Sequence, residues 1–67
     1  MQGKLLILRK ERGVTQQKMA DLLGVTKETY RRKEKGLTDF GSSEMFKIAN
    51  FFDKDIGEIF FKIKYAF

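Results

Sequence analysis

The residues best suited to chemistry lie between positions 27 and 35, with the sequence KETYRRKEK. Five of these nine residues are cations: Lys27, Arg31, Arg32, Lys33 and Lys35. Guanidinium and ammonium groups at this density favour an anionic partner, and the chain as a whole carries a net charge of +5. Charge alone leaves a second interpretation equally open, in which the segment is simply a solvated basic surface.

A helix over residues 27–35 has little apolar surface of its own to bury. Tyr30 is its only large apolar side chain, so the helix must lean on a core through Tyr30, with Glu34 beside it. The opposite face then meets either water or an anion. Thr26 is placed to cap this helix by accepting from a free backbone N–H.

A second short helix is predicted directly before the basic one. Thr15 is placed to cap it, and Gly24 is placed to end it after about two turns. Its apolar stripe consists of Met19, Ala20 and Leu23. Only three residues separate the two helical patterns, which requires a sharp change of direction of the helix-turn-helix kind.

A helix over residues 4–12, ended by Gly13, precedes this pair. Leu5 and Leu8 share one face, but Leu6 and Ile7 do not fit a single stripe. Either this helix is covered on two sides, or part of it faces a partner.

The segment after Gly36 is irregular before two further helices. We expect Leu37 and Phe40 to dip back into the core as anchors, and Ser42 to cap the fourth helix. Asp55 and Glu58 resemble a capping box that opens a short fifth helix.

The tail over residues 61–67 alternates apolar and polar side chains, as a half-buried strand does. Its apolar members are Phe61, Ile63, Tyr65 and Phe67. One strand cannot pair with itself, so we expect dimerisation through antiparallel pairing with a second copy. The alternative is a frayed tail that packs on Leu6 or Ile7 of its own chain.

Length and composition exclude several classes of protein. We expect residues 1–67 to form one soluble, cytoplasmic domain, because the longest aliphatic run, residues 5–8, is too short for a membrane or a signal peptide. Histidine and cysteine are absent, which removes the usual zinc ligands and thiol chemistry. Asp53, Asp55 and Glu58 cluster, but their position at a helix start explains them. We expect no enzyme activity, metal, cofactor or small-molecule ligand.

The segment LRKERGVTQQKMADLLGVTKETYRRKEKG, followed by SSEMFKIANFFDKDIGEIF, resembles the Cro/C1-type (XRE) helix-turn-helix family of phage and bacterial repressors. The resemblance covers roughly residues 5–60 without gaps and is nearest to a branch from Gram-positive bacteria and their phages. The marks of the family are the pairs Leu8–Arg9, Thr15–Gln16 and Met19–Ala20, the run Gly24–Val25–Thr26, and Gly13, Glu34 and Gly36.

The resemblance implies an all-α, lambda-repressor-like domain of five helices, with the third helix in the major groove of DNA. The C-terminal strand extension rests instead on the alternation of the tail. It implies an ion pair between Arg9 and Glu34 that ties the first helix to the third. Lys33 departs from the family, since many members have an apolar residue there, and the third helix is then held less firmly unless the lysine stem substitutes. The residues expected at the DNA surface are Gln16, Gln17, Thr26, Lys27, Glu28, Thr29, Arg31, Arg32 and Lys35.

DNA binding requires cations that contact phosphates and side chains that read base edges. Arg32 can reach guanine O6 and N7 with two N–H groups, Lys27 with one ammonium, and Thr29 can touch a thymine methyl group. Glu28 suits a DNA-facing position only if it accepts from a cytosine amino group or orients Lys27 or Arg32. Otherwise it is exposed and pairs with Arg32 one turn later.

The leading hypothesis is a sequence-specific DNA-binding regulator, a Cro-like phage or prophage repressor that binds an inverted-repeat operator as a homodimer. Its two recognition helices would lie about 34 Å apart, one turn of DNA. A variant is an architectural or excisionase-like protein that bends DNA. The alternative is an antitoxin or anti-repressor module whose surplus aromatic residues bind another protein.

Overall fold

The structure is a computed structural model that describes residues 3–61. Its helices are α1 (Gly3–Glu11), α2 (Gln16–Leu23), α3 (Lys27–Glu34), α4 (Ser42–Phe52) and α5 (Ile56–Phe60). This confirms the five-helix, all-α fold, and residues 3–61 contain no strand. The predicted strand and its dimerisation residues Ile63, Tyr65 and Phe67 lie outside the described residues.

Short polar caps set the geometry of α2 and α3. Thr15 Oγ1 accepts from the backbone N–H of Lys18 at 3.1 Å, and Thr26 Oγ1 accepts from that of Thr29 at 3.1 Å. Between them, Gly24 ends α2 with φ +70°, a left-handed conformation that favours glycine. Only residues 24–26 separate the two helices, which is the short connection that the sequence predicted.

The expected cap of α4 was wrong by one residue. The helix begins at Ser42, and Gly41 is its N-cap. Glu44 Oε1 accepts from the backbone N–H of Gly41 at 2.8 Å, so the carboxylate does the capping that the sequence analysis assigned to Ser42. At α5, Glu58 Oε1 accepts from the N–H of Asp55 at 3.3 Å, which is one half of the predicted capping box.

The core lies where all five helices meet. Its buried members are Leu5, Met19, Ala20, Leu23, Tyr30, Phe40, Ile48, Ala49, Phe52 and Ile59. Phe40 joins two parts of this core, since its ring centroid lies 6.0 Å from that of Tyr30 and 5.4 Å from that of Phe60. Phe40 is therefore the anchor that the sequence predicted.

Leu37 is not an anchor, because it is 58% exposed. Its backbone N–H closes the end of α3 on the carbonyl of Arg32 at 2.9 Å, which keeps residue 37 at the surface. Ile7 in α1 is likewise 60% exposed while Leu5 is fully buried. The first helix is thus covered on one side only by residues 3–61.

Candidate nucleic-acid interface

Glu34, the last residue of α3, binds side chains from both preceding helices. Arg9 of α1 donates to its carboxylate twice, from Nε to Oε2 at 2.8 Å and from Nη2 to Oε1 at 3.1 Å. Gln16 Nε2 donates to Oε1 at 3.1 Å, and Tyr30 Oη donates to Oε2 at 2.6 Å. Arg9 also donates from Nη1 to the carbonyl of Val14 at 2.9 Å. The ion pair implied by the resemblance is therefore present, inside a larger network that fixes α3 against α1 and α2.

Electrostatics favour the charged form of this network. Burial alone would raise the pKa of Glu34, but the hydrogen bonds from Arg9, Tyr30 and Gln16 outweigh it and leave that pKa lowered. The bond to Glu34 raises the pKa of Arg9. Burial first, and then the bond to Glu34, raise the pKa of Tyr30 well above its ordinary range. At neutral pH the network is an ion pair with a neutral phenol.

Lys33 of α3 forms an ion pair with a residue of α4. Its Nζ lies 2.6 Å from Oε1 of Glu44 in α4, with both side chains about one-sixth exposed, and 6.0 Å from the ring centroid of Phe40. Burial acts to raise the pKa of Glu44, but the hydrogen bonds from Lys33 and from the Gly41 N–H leave it lowered. An ion pair between Lys33 and Glu44 thus links α3 to α4.

The buried residues of α3 define its inner face, and helix geometry then gives the residues of its outer face. Tyr30 and Glu34 are buried, and Glu28 and Arg32 lie about 160° to 200° around the helix from Tyr30. Of the predicted DNA-surface residues, those exposed are Gln17, Thr26, Lys27, Glu28, Arg32 and Lys35, and those half-buried are Gln16, Thr29 and Arg31. The predicted residues that are exposed or half-buried thus belong to α3, to its two caps and to the start of α2.

Several of these exposed side chains already have partners. Glu28 forms an ion pair with Arg31 at 2.6 Å, which corrects the expected pairing of Glu28 with Arg32. The Arg31 hydrogen bond is the main reason that the pKa of Glu28 is lowered. Thr26 Oγ1 donates to Thr29 Oγ1 at 2.9 Å.

Among the cations predicted at the DNA surface, Lys27, Arg32 and Lys35 differ from Arg31 in having no partner within residues 3–61. Their side chains make no hydrogen bond or ion pair within residues 3–61. Gln17, by contrast, donates from Nε2 to Asp21 Oδ1 at 2.9 Å. Three exposed cations without internal partners are well suited to contact phosphates or base edges.

The amino-acid sequence matches a model of a known protein family. A model described as helix-turn-helix matches residues 5–59, which is most of the chain. The chain belongs to the Cro/C1-type (XRE) helix-turn-helix family. It is accordingly a DNA-binding transcription regulator of that type. Searches of curated proteins and of solved structures gave no significant match.

Among the interactions of this Cro/C1-type domain that the sequence did not predict, three concern α3. The Tyr30–Glu34 hydrogen bond and the Glu28–Arg31 pair have the i,i+4 and i,i+3 spacings of helical neighbours, so a local signal existed for both. The Lys33–Glu44 pair spans eleven residues between two helices and had no local signal.

We also searched residues 3–61 of the Cro/C1-type domain for a metal site and for a membrane-spanning helix. No group of carboxylates among them has an arrangement suited to a metal ion. None of their helices is long and apolar enough to cross a membrane.

Proposed function

We propose that this protein is a sequence-specific repressor of the phage or prophage kind, which blocks transcription by placing α3 in the major groove of an operator. The observation that carries the proposal is the two-sided character of α3. Its inner face is fixed by Tyr30 and Glu34, whereas Arg32 and Lys35 on its outer face have no partners among residues 3–61. Lys27, at the exposed start of the helix, has none among them either. A rigid helix with an exposed basic face suits groove binding.

Arg32 is the proposed reader of guanine. It lies opposite Tyr30 on the helix, and its guanidinium has the fork geometry that matches guanine O6 and N7. Lys27 and Lys35, near the two ends of α3, are the proposed phosphate contacts. The hydroxyl groups of Thr26 and Thr29 are hydrogen-bonded to each other, and Thr26 Oγ1 also caps α3. Because both hydroxyls are engaged, we propose that the two side chains contact thymine methyl groups through their own methyl groups.

Gln16 and Gln17 are the proposed contacts from the start of α2. Nε2 of Gln16 has two hydrogens, and Glu34 accepts one of them at 3.1 Å. The other is available to a phosphate oxygen, with the amide plane held by the buried carboxylate. We propose that Gln17 contacts the neighbouring phosphate after release from Asp21.

We further propose a homodimer on an inverted repeat, with half-sites about one DNA turn apart. Ile63 and Tyr65 of the tail supply its contacts in this proposal. Replacing each by Asp should convert the dimer to a monomer in sedimentation equilibrium. An unchanged dimer mass would exclude the tail as the interface.

Selection of bound duplexes from a random DNA pool, at two salt concentrations, tests the proposed function. An inverted repeat that persists at the higher concentration is the expected result. Binding without a consensus, which collapses as salt rises, would show only electrostatic attachment and would overturn the proposal. The control is Lys54→Ala, which removes one exposed positive charge between α4 and α5 and should leave the consensus unchanged.

A second candidate function is supported by exposed apolar side chains. Ile7, Phe46 and Phe61 are each more than half exposed, as expected for an antitoxin or anti-repressor module that binds another protein. A monomer in solution would favour this candidate, and a symmetric dimer would favour the repressor. We propose no enzymatic role, because Asp53 ends α4 and Asp55 and Glu58 open α5.

A further inference from the structure

The ion pair between Glu28 and Arg31 lies on the face of α3 that is proposed to meet DNA. Arg31 Nε donates to Glu28 Oε1 at 2.7 Å, and Arg31 Nη2 donates to Glu28 Oε2 at 2.6 Å. The contact therefore uses both carboxylate oxygens and one full edge of the guanidinium. The Glu28 side chain is 61% exposed and that of Arg31 is 34% exposed.

A bare carboxylate on this face would repel the phosphates that surround the groove. Arg31 neutralises the charge of Glu28, but the Glu28 carboxylate can still accept further hydrogen bonds. Each carboxylate oxygen can accept about two hydrogen bonds, and Arg31 occupies only one on each. The carboxylate thus stays able to accept from a donor approaching from outside.

The chemistry of that outside donor is restricted. In the major groove the amino groups are cytosine N4 and adenine N6, and carboxylate acceptance is characteristic of cytosine, whereas adenine pairs with an amide that can also donate to N7. Glu28 occupies the Nε–Nη2 edge of Arg31, which is one of the two guanidinium edges able to bind a phosphate with two N–H groups. Within residues 3–61, Lys27, Arg32 and Lys35 remain better placed for phosphates because no internal partner holds them.

We infer that Arg31 is a positioning residue, which holds the carboxylate of Glu28 to accept a hydrogen bond from the N4 amino group of a cytosine in the operator. The inference rests on the proposed function and gives Arg31 a role other than the direct DNA contact expected from the sequence. The pair fixes the rotamer of Glu28 before binding, so less side-chain freedom is lost on the DNA.

The test uses the full chain and the sites that the wild-type protein selects. Base preference at every position, and the slope of log affinity against log salt, are measured for Glu28→Ala, Arg31→Ala and Arg31→Lys, with Lys54→Ala as control. Glu28→Ala should lose a cytosine preference of about tenfold at one position of each half-site. Arg31→Ala should lose the same preference at the same position, with the salt slope unchanged.

Arg31→Lys separates positioning from charge. A lysine keeps the positive charge but not the two-pronged contact, so the cytosine preference should relax while the salt slope is retained. A thermal melt of each variant separates these effects from unfolding, and we expect melting temperatures near that of wild type because Glu28 and Arg31 both lie outside the buried core.

The contrary outcomes are distinct. A decrease of about one in the salt slope for Arg31→Ala, with the cytosine preference intact, would make Arg31 a phosphate contact and overturn the inference. Unchanged base preference in Glu28→Ala would do the same while leaving the proposed function standing. A wild-type protein that selects no site would overturn both.

Discussion

The hydroxyl of Tyr30 lies 2.6 Å from Oε2 of Glu34, one turn further along the same helix, and both side chains are buried. The same oxygen accepts from Nε of Arg9 at 2.8 Å. A single carboxylate oxygen thus joins the core-facing residue of α3 to the first helix. The direction in which the basic face of α3 points depends on this contact.

Glu34→Ala should destabilise the domain strongly. Removing one partner of a buried ion pair costs about 3 to 5 kcal/mol, because Arg9 is left charged and buried. A domain of this size has a total stability of about 3 to 10 kcal/mol, so much of the variant should be unfolded at 25 °C. Urea unfolding followed by circular dichroism measures the effect.

The matched control is Glu11→Ala, since Glu11 is an exposed carboxylate at the end of α1. Its free energy of unfolding should change by less than about 0.5 kcal/mol. The double variant Arg9→Ala with Glu34→Ala should be less destabilised than the sum of its single variants. Simple additivity would show that the two side chains do not stabilise the fold as a pair.

Stability should fall in acid. The pKa of Glu34 is lowered in the fold, so between that pKa and the unfolded value of about 4.3 the unfolded chain binds more protons. The stabilisation is present above the unfolded pKa and is lost as pH falls through the folded pKa. Free energies of unfolding at pH 6 and pH 3 test this.

Glu34→Gln should show a shallower acid loss than wild type. A remainder is expected, because the pKa values of Glu44 and Glu28 are lowered as well. An identical acid slope in the variant would contradict the assignment to Glu34.

Stability should also fall in alkali because of Tyr30. Its pKa is raised in the fold, first by burial and then by Glu34. Its contribution is complete below the unfolded value of about 10, above which the unfolded tyrosine loses its proton while the folded one keeps it. The free energy of unfolding should then drop by up to about 1.4 kcal/mol per pH unit. In Tyr30→Phe the decrease in the free energy of unfolding that is due to Tyr30 should be absent. Any decrease that remains would come from titration of the lysines.

The sequence was sufficient to predict the helices and the core-facing residues of α2 and α3. Threonine caps and glycine ends are local signals, and Thr15, Thr26 and Gly24 perform those roles in the structure. Local chemistry also indicated that Tyr30 anchors the basic helix. The ion pair of Arg9 with Glu34 came only from the family resemblance, because nothing local relates residues so far apart.

Other features depended on tertiary geometry or on competition between neighbours. Leu37 appeared suited to the core by hydrophobicity, but its backbone hydrogen bond to the end of α3 keeps it at the surface. Glu28 had two arginines within reach along the helix, and pattern alone did not show that Arg31 would be its partner. The contact of Lys33 with Glu44 depends on the tertiary fold, because the two residues lie on different helices, eleven positions apart.

Glu44→Ala should destabilise the domain more than Lys33→Ala. Glu44 accepts from Lys33 Nζ at 2.6 Å and also from the N–H of Gly41 at 2.8 Å, so its loss removes an ion pair and a helix cap together. Loss of a cap costs about 0.5 to 2 kcal/mol by itself. Lys33→Met should be less destabilising than Lys33→Ala, because an apolar side chain can pack near Phe40 as the lysine stem does, but it still leaves Glu44 without its cation. Urea unfolding of the three variants in parallel gives the order, and equal losses for Glu44→Ala and Lys33→Ala would contradict the double role.

Arg32→Ala should weaken binding to the selected operator by about 1 to 3 kcal/mol and relax the preference at one base position. The physical reason is its exposed location opposite Tyr30, without an internal partner among residues 3–61. Arg32→Lys is the matched control, since it retains the charge and loses the fork that recognises guanine. If Arg32 reads a guanine, the lysine variant should lose base preference while it keeps the wild-type salt dependence. Fluorescence anisotropy titrations against single-base variants of the operator measure both quantities, and a uniform weakening on every sequence would instead make Arg32 a phosphate contact.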